Sequence, residues 1–389
     1  MDGHLFQFAI LFGVLGIAAA VSLALRLPVV PLYIASGVAL GFVIEPDEVV
    51  EFLGTLGVVF LLFSMGLEFS VPSRRDSPRL IRAGSIDLAF NFPVGLVAGW
   101  ALGWTWQESV FLAGILYMSS SAVVAKCIVD FGRAARPETE TILGIMVFED
   151  LVIALYLVLV NAIIIGAGDG ASVGLALLRA AAFMGLLVAL ARRYQEPLTR
   201  LLAHRSDEGF TLALFSFVLL IASAAGGVAG LSEAVGAFLA GLVLGSTRLK
   251  ERASSTLLPF QTLFAALFFV SFGMAFDLSS VREVAVPAIA LIFIGIGSKL
   301  VGGYLAGRAA GHPAAQAAVV GFSLVPKGEF SVLIAAMAAG MASGNAHIVP
   351  LTGIYVFSLS ILGPIGMREA DRIQAWLQRI KSGAPTPQE

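Results

Sequence analysis

The sequence predicts an all-α polytopic membrane protein, and three observations carry that expectation. Of 389 residues, 58% are hydrophobic and 13% charged, against roughly 25% charged in an ordinary soluble domain, and the mean hydropathy is +0.92. Apolar stretches approaching the roughly 20 residues that a spanning helix needs recur about thirteen times. The loops between them alternate between segments with and without Lys and Arg, the pattern that a multi-pass chain takes under the positive-inside rule.

The thirteen expected spans cover residues 5–25, 29–44, 52–70, 81–104, 108–126, 139–166, 171–191, 209–226, 229–246, 258–276, 284–306, 314–340 and 346–367. The first follows Met1-Asp2-Gly3-His4, which lacks the basic n-region and cleavage site of a secretory signal, so it is expected to remain a membrane helix. The eighth and ninth are parted only by Gly226-Gly227. Beyond the thirteenth, residues 368–389 read as a short amphipathic helix and a cytoplasmic tail. With the N-terminus outside, the inner loops and tail hold 20 of the 24 Lys and Arg residues. They are Arg26, Arg74, Arg75, Arg79, Arg82, Lys126, Arg133, Arg136, Arg192, Arg193, Arg200, Arg205, Arg248, Lys250, Arg252, Arg308, Arg368, Arg372, Arg379 and Lys381. The outer loops 45–51, 103–108, 166–170 and 343–347 contain none. The N-terminus is therefore expected outside and the C-terminus inside.

Composition also excludes several classes. A single cysteine, Cys127, rules out a disulfide framework and Cys-based metal sites. His4, His204, His312 and His347 are scattered over segment ends and loops, which speaks against a histidine metal cluster. Gly295-Ile296-Gly297 with Gly302 and Gly303 lies inside a hydrophobic span without a preceding strand, so it is not a dinucleotide fingerprint. No ATP site or other cofactor motif is seen, and no enzyme is expected. The Arg-rich loops lack aromatic interleaving, so they read as topology signals and contacts for membrane lipids rather than for nucleic acid.

The chemistry concentrates in three spans. The sixth carries Phe148-Glu149-Asp150 inside an otherwise uninterrupted apolar run. A charge at such a place costs roughly 2.5–3.5 kcal/mol on insertion scales, so adjacent carboxylates there point to an ion or proton site. The fifth carries Ser119-Ser120-Ser121, three hydroxyls that help to open a helix. The twelfth carries Pro326-Lys327-Gly328-Glu329, where Pro removes a donor and Gly loosens the turn, so a break is expected. Broken helices at membrane depth expose carbonyls and half-helix dipoles to ions. Glu149, Asp150, Glu329 and Lys327 thus come to roughly one depth, with Ser120 and Ser121 as oxygen ligands for a hard cation. Burial disfavours a charged carboxylate and a cation favours it, so where the balance falls near neutral pH, protonation and cation binding at one such carboxylate exclude each other and couple two opposite fluxes. Glu329 is expected to neutralise a half-helix end or Lys327, or to join the proton route. Asp87 with Asn91 one turn later reads as a buried packing or inter-domain contact, Lys299 as snorkelling or capping the breaks, and Glu233 as lining an outer funnel.

The chain also repeats itself. Ser36-Gly37-Val38-Ala39-Leu40-Gly41 in the second span resembles Ala240-Gly241-Leu242-Val243-Leu244-Gly245 in the ninth. Ser64, Gly66 and Phe69 in the third reappear as Ser271, Gly273 and Phe276 in the tenth. Each pair lies seven spans apart, and an odd number of crossings inverts the second copy. Two inverted six-helix repeats follow, 5–166 and 209–367, joined by a linking helix 171–191 within one transmembrane domain, 1–367. Such repeats are typical of transporters.

Several stretches together resemble the membrane domain of Kef-type antiporters in the second monovalent cation/proton antiporter family. They are Leu61-Leu62-Phe63-Ser64-Met65-Gly66-Leu67-Glu68, Ser119-Ser120-Ser121-Ala122-Val123-Val124, Phe148-Glu149-Asp150, Gly236-Ala237-Phe238-Leu239-Ala240-Gly241, Leu267-Phe268-Phe269-Val270-Ser271-Phe272-Gly273-Met274 and Gly328-Glu329-Phe330. The resemblance implies a homodimer in a bacterial plasma (inner) membrane, whose six-helix core domain slides like an elevator against a dimerisation domain. It implies that the fifth and twelfth spans cross as discontinuous helices beside Asp150, the family's ion-binding aspartate, and that K+ or Na+ is exchanged for H+. By the same resemblance Asp150 binds cation and proton in competition, and Lys327 is similar to a lysine that pairs with an acid at position 149, so an ion pair between Glu149 and Lys327 is expected to open when Asp150 is loaded. Glu149 departs from the common pattern of Gln, Asn or Asp and would permit two protons per cation. Many Kef relatives carry a cytosolic nucleotide-binding regulatory domain, so regulation by such a domain or by a separate subunit is expected. The competing readings are a ligand-gated K+ efflux channel and a non-transporting membrane subunit.

Overall fold

The structure, a computed structural model, describes residues 2–25, 27–43, 48–68, 77–165, 206–229, 232–245, 247–275, 278–340 and 347–382, with isolated positions between 172 and 202. Among the described residues the regular structure is helical throughout. The helices are α1 (Asp2–Leu25), α2 (Val29–Leu40), α3 (Glu48–Glu68), α4 (Ser77–Ala101), α5 (Trp106–Tyr117), α6 (Ser121–Asp130), α7 (Pro137–Ile165), α8 (Asp207–Ala229), α9 (Glu233–Gly245), α10 (Lys250–Met274), α11 (Leu278–Ala309), α12 (Ala314–Ser323), α13 (Glu329–Ala339) and α14 (Ile348–Ser382). Eight stretches are long and apolar enough to cross a membrane: Phe6–Leu25, Pro78–Ala101, Trp106–Asp130, Pro137–Ile164, Asp207–Gly227, Lys250–Met274, Val281–Ala309 and Ile348–Arg372. The protein is thus an all-helical, multi-pass membrane protein. Shorter apolar helices include Val29–Leu40, Phe52–Glu68 and Glu233–Gly245.

The expected breaks are present. Met118 and Ser120 are extended between α5 and α6, with φ/ψ of −65°/125° and −90°/103°, and the segment from Leu324 to Gly328 separates α12 from α13. Two boundaries differ from the sequence expectation. Gly226-Gly227 lies inside α8, and α9 begins after Ser232, whose Oγ accepts the Val235 N–H at 3.3 Å. Glycine weakens a helix, yet in hydrocarbon its backbone groups have no other partners, so the helix ends where a hydroxyl can cap the next one. The helix that contains the last span does not stop at 367 but runs unbroken to Ser382. Pairs from Glu369 to Arg368 and Arg372, each 2.9 Å, bind the turn that crosses that boundary. The linking helix 171–191 falls outside the described residues apart from isolated positions, as do Phe69, Phe276 and residues 383–389.

Packing divides the helices into two groups. One holds α1, α2, α3, α8, α9 and α10; the other holds α4–α7 and α11–α14. They meet mainly where α14 touches α2, α7 touches α9 and α13 touches α10. Within the first group, glycines bring backbones into direct contact. Gly37 of α2 lies against the Val270 carbonyl and Gly273 of α10, while Gly241 of α9 lies against the Phe63 carbonyl and Gly66 of α3. Helix pairs in lipid gain from such close approach because the hydrophobic effect does little there. Large apolar side chains such as Phe6, Ile17, Val286 and Phe293 point outward, as a lipid-facing surface requires.

Candidate functional site

The two helix breaks cross in the second group. The Ser120 N–H donates to the Pro326 carbonyl oxygen at 2.9 Å. Lys327 Nζ donates to the carbonyl oxygens of Leu116 and Met118 at 2.6 and 2.8 Å, and Ser331 Oγ donates to that of Ile115 at 2.8 Å. The break leaves the last carbonyls of α5 without helical donors and at the negative end of its dipole, so a buried ammonium settles there. Gly328 allows the crossing. A Cβ at this position would lie 2.5 Å from Ser120 Oγ and 2.7 Å from Ser120 Cβ. Gly328→Ala is therefore expected to push the breaks apart and to lower stability by about 1–3 kcal/mol, the usual result of overpacking. An unchanged melting temperature for the purified variant would show instead that the crossing widens freely.

Neighbouring residues on an α-helix diverge by about 100°, so Glu149 and Asp150 look in different directions from α7. Glu149 is 2% exposed and points between α4 and α11. It accepts the Ser119 N–H at 2.6 Å, and its other oxygen lies 2.8 Å from Lys299 Nζ. Lys299, fully buried, also donates to Asp87 Oδ2 at 2.9 Å and sits 4.8 Å from the centre of the Tyr117 ring. Asn91 Nδ2 donates to Asp87 Oδ1 at 2.8 Å. One ammonium thus holds two carboxylates from α4 and α7.

This arrangement corrects three expectations. Glu149 pairs with Lys299 rather than Lys327, because the freed carbonyls of α5 claim Lys327. Asp87 and Asn91 are part of the ion cluster, not merely a packing contact, and they stay within one helix group. Lys299 neither snorkels nor caps a break; it lies at the centre of the cluster. Ser119, singled out only as part of the serine run, gives Glu149 both a backbone N–H and a hydroxyl donor, at 2.6 and 3.0 Å. The sequence signal for Lys299 was its place among the four basic residues outside the inner loops and tail, but nothing in the sequence says which acid it meets.

Asp150 is left differently. It is half-buried, and Ser121 Oγ donates to its Oδ1 at 3.3 Å. Among the described residues no Lys or Arg pairs with it, since Lys299 serves Asp87 and Glu149 and Lys327 serves backbone. Glu329 opens α13, a favourable place for a carboxylate, and accepts from Ser120 Oγ at 3.0 Å. It also lines a cleft of about 770 Å³ between the two helix groups. Leu27 and Pro28 form one wall, and Ala122, Lys126 and Ile365 the other. The cleft is also lined by Asp130, Phe131 and Arg368, at the end of the bundle where Arg133 donates to the Met367 carbonyl. Glu233 is exposed at the start of α9, far along the chain from this cluster.

The geometry agrees with comparisons to known proteins. The profile of the family described as sodium/hydrogen exchanger, transmembrane, matches residues 9–368. The chain is 36% identical to the K(+)/H(+) antiporter subunit KhtU of Bacillus subtilis, covering 100% of this chain and 98% of that one. It is 29% identical to the ammonium/H(+) antiporter subunit AmhT of Alkalihalophilus pseudofirmus, covering 92% and 91% of the two chains. Its fold is similar to that of the sodium proton antiporter MjNhaP1 from Methanocaldococcus jannaschii, with a TM-score of 0.70 at 17% identity over 95% of this chain and 99% of that one.

Proposed function

The chain belongs to the sodium/hydrogen exchanger family of transmembrane proteins, and from that premise we propose that it exchanges a monovalent cation, K+ or Na+, for H+. The observation that carries the proposal is Asp150: a half-buried carboxylate beside two crossed helix breaks, with no cationic partner among the described residues. A cation or a proton can supply the missing partner, and one carboxylate holding either in turn couples their movements. Ser120, Ser121 and Glu329 add oxygen donors on the same side, and the cleft that ends at Glu329 gives water and ions a route from one face. In this reading Asp87, Asn91, Glu149 and Lys299 form the rigid electrostatic floor of the site, and Lys327 fixes the crossing.

The cycle is an elevator. The group carrying Asp150 moves as a core domain against the other group, the dimerisation domain of a homodimer. The sparse contacts between the groups support this, because sliding then breaks little packing. Two inverted repeats, 5–166 and 209–367 around a linking helix 171–191 in a thirteen-span domain, are supported by paired glycine contacts. The Gly37–Gly273 contact joins spans two and ten, and the Gly66–Gly241 contact joins spans three and nine. Exchanging two for nine and three for ten turns either contact into the other. The distribution of basic loops supports an orientation with the cleft and the C-terminus in the cytoplasm and the N-terminus outside a bacterial plasma membrane. Both named relatives are described as antiporter subunits, which favours regulation through a separate polypeptide.

Purified protein in liposomes with a pH-sensitive dye tests the function. Adding K+, Na+ or Li+ outside acid-loaded vesicles is expected to drive proton release, and the order of the ions gives the selectivity. A cation current without proton movement would assign the protein to the channels, and silence with every ion would remove the transport reading.

A further inference from the structure

The two helix groups part at the cleft, yet they are shut at the other end of the bundle. There the Ser232 N–H, just before α9, donates to Asn161 Oδ1 of α7 at 2.9 Å. Asn161 is 3% exposed and lies eleven residues beyond Asp150, about 16 Å along the helix at 1.5 Å per residue. Around it Val160 and Ile163 of α7 and Val235 of α9 are all at or below 1% exposure. The bond therefore joins the group that carries the site to the group that does not, beside buried apolar side chains, at the end remote from the cleft.

We propose that Asn161 is a positioning residue that latches the seam in this cleft-open arrangement and sets how often the far side opens. The inference rests on the alternating-access reading given above. Two features suit a latch rather than a permanent rivet. The bond uses a backbone N–H, so it depends on the register of α9 against α7 and is lost when one slides past the other. The Asn161 Nδ2 group is buried without a partner among the described residues, so the carboxamide is only half satisfied while the seam is shut. An unpaired buried amide costs free energy that water regains for it on opening. The contact therefore favours closure without making it irreversible.

The test reads seam opening directly. The single cysteine, Cys127, is replaced by Ser, and Leu157→Cys is introduced as reporter. Leu157 is 1% exposed and lies one turn before Asn161 on the same face of α7. Its rate of modification by a water-soluble methanethiosulfonate reagent is measured in nanodiscs, where both faces are accessible. Asn161→Ala leaves the Ser232 N–H without an acceptor in the closed seam and is expected to raise the rate about three- to tenfold, the effect of one hydrogen bond of ordinary net strength. Ser232→Pro removes the same bond from the donor side and should act similarly. The double variant should open no more than the stronger single variant, since both remove one interaction. Ser232→Ala keeps the N–H and should remain at the starting rate even though it loses the helix cap. An unchanged rate in Asn161→Ala, single effects that multiply in the double variant, or an equal rise in Ser232→Ala would each overturn the latch. Proton-flux assays on the same preparations test the antiport reading separately: a protein that moves no protons but shows the labelling pattern loses that reading and keeps the latch.

Discussion

Replacing Asp150 with Asn is expected to reduce cation-evoked proton movement to the leak rate of protein-free vesicles while leaving the protein folded. The amide has nearly the same shape and still accepts from Ser121, so the local hydrogen bond at 3.3 Å survives. What disappears is the carboxylate proposed to take up a proton or balance a cation. Since Asp150 has no basic partner among the described residues, its neutralisation orphans no buried charge, and the melting temperature should stay near that of the starting protein. Activity and stability therefore separate at this position. Transport that persists in Asp150→Asn would move the exchanging group elsewhere, and Glu329 at the head of the cleft would be the first alternative.

Lys299→Met should behave in the opposite way. Its ammonium is fully buried between Asp87 and Glu149 at 2.9 and 2.8 Å. Removing one member of a buried ionic cluster leaves the others uncompensated, a loss of roughly 3–5 kcal/mol. The variant is expected to express poorly and to melt far below the starting protein. Adding Glu149→Gln to Lys299→Met removes one of the two stranded carboxylates and should restore part of that loss. A thermal double-mutant cycle on purified protein measures the coupling. Independent, additive losses would mean that the two side chains do not share one cluster, and the arrangement of acids around Lys299 would have to be redrawn. Glu149→Gln alone is expected to be milder than Lys299→Met, because Lys299 retains Asp87.

Much of the site could be read from the chain before any fold was known. Two adjacent carboxylates inside a membrane helix are improbable unless they serve an ion, so Phe148-Glu149-Asp150 marked the site by its cost alone. Pro326 and Gly328 marked the second break by the backbone donor that one lacks and the steric freedom that the other offers. The small-residue stretches around Gly37, Gly66, Gly241 and Gly273 marked an internal repeat, but neither that they pack backbone to backbone nor which helix each would meet. The assignment of bases to acids was not legible. Glu149 and Lys299 are 150 residues apart, while Lys327 lies beside a helix break and looks, in sequence, like the natural counter-charge. Choosing between them requires knowing that the α5 carbonyls claim Lys327 first. Asn161 gave no signal of its own, because a single amide near the end of an apolar helix is ordinary.

The sequence by itself determined the membrane class, the helical fold, the two breaks and the acidic pair within an apolar helix. Each follows from local rules: hydropathy over one span length, backbone donors and turn sterics, and the cost of a charge in hydrocarbon. Tertiary structure alone decided that Lys299 gathers Asp87 and Glu149, that Lys327 caps α5, that Asp150 has no counter-charge among the described residues, and that the two helix groups touch at Asn161 and part at Glu329. Those outcomes depend on which distant segments share a few ångströms of space. The 100° step between Glu149 and Asp150 then sends two chemically alike residues into different surroundings, one already neutralised and one still needing a partner.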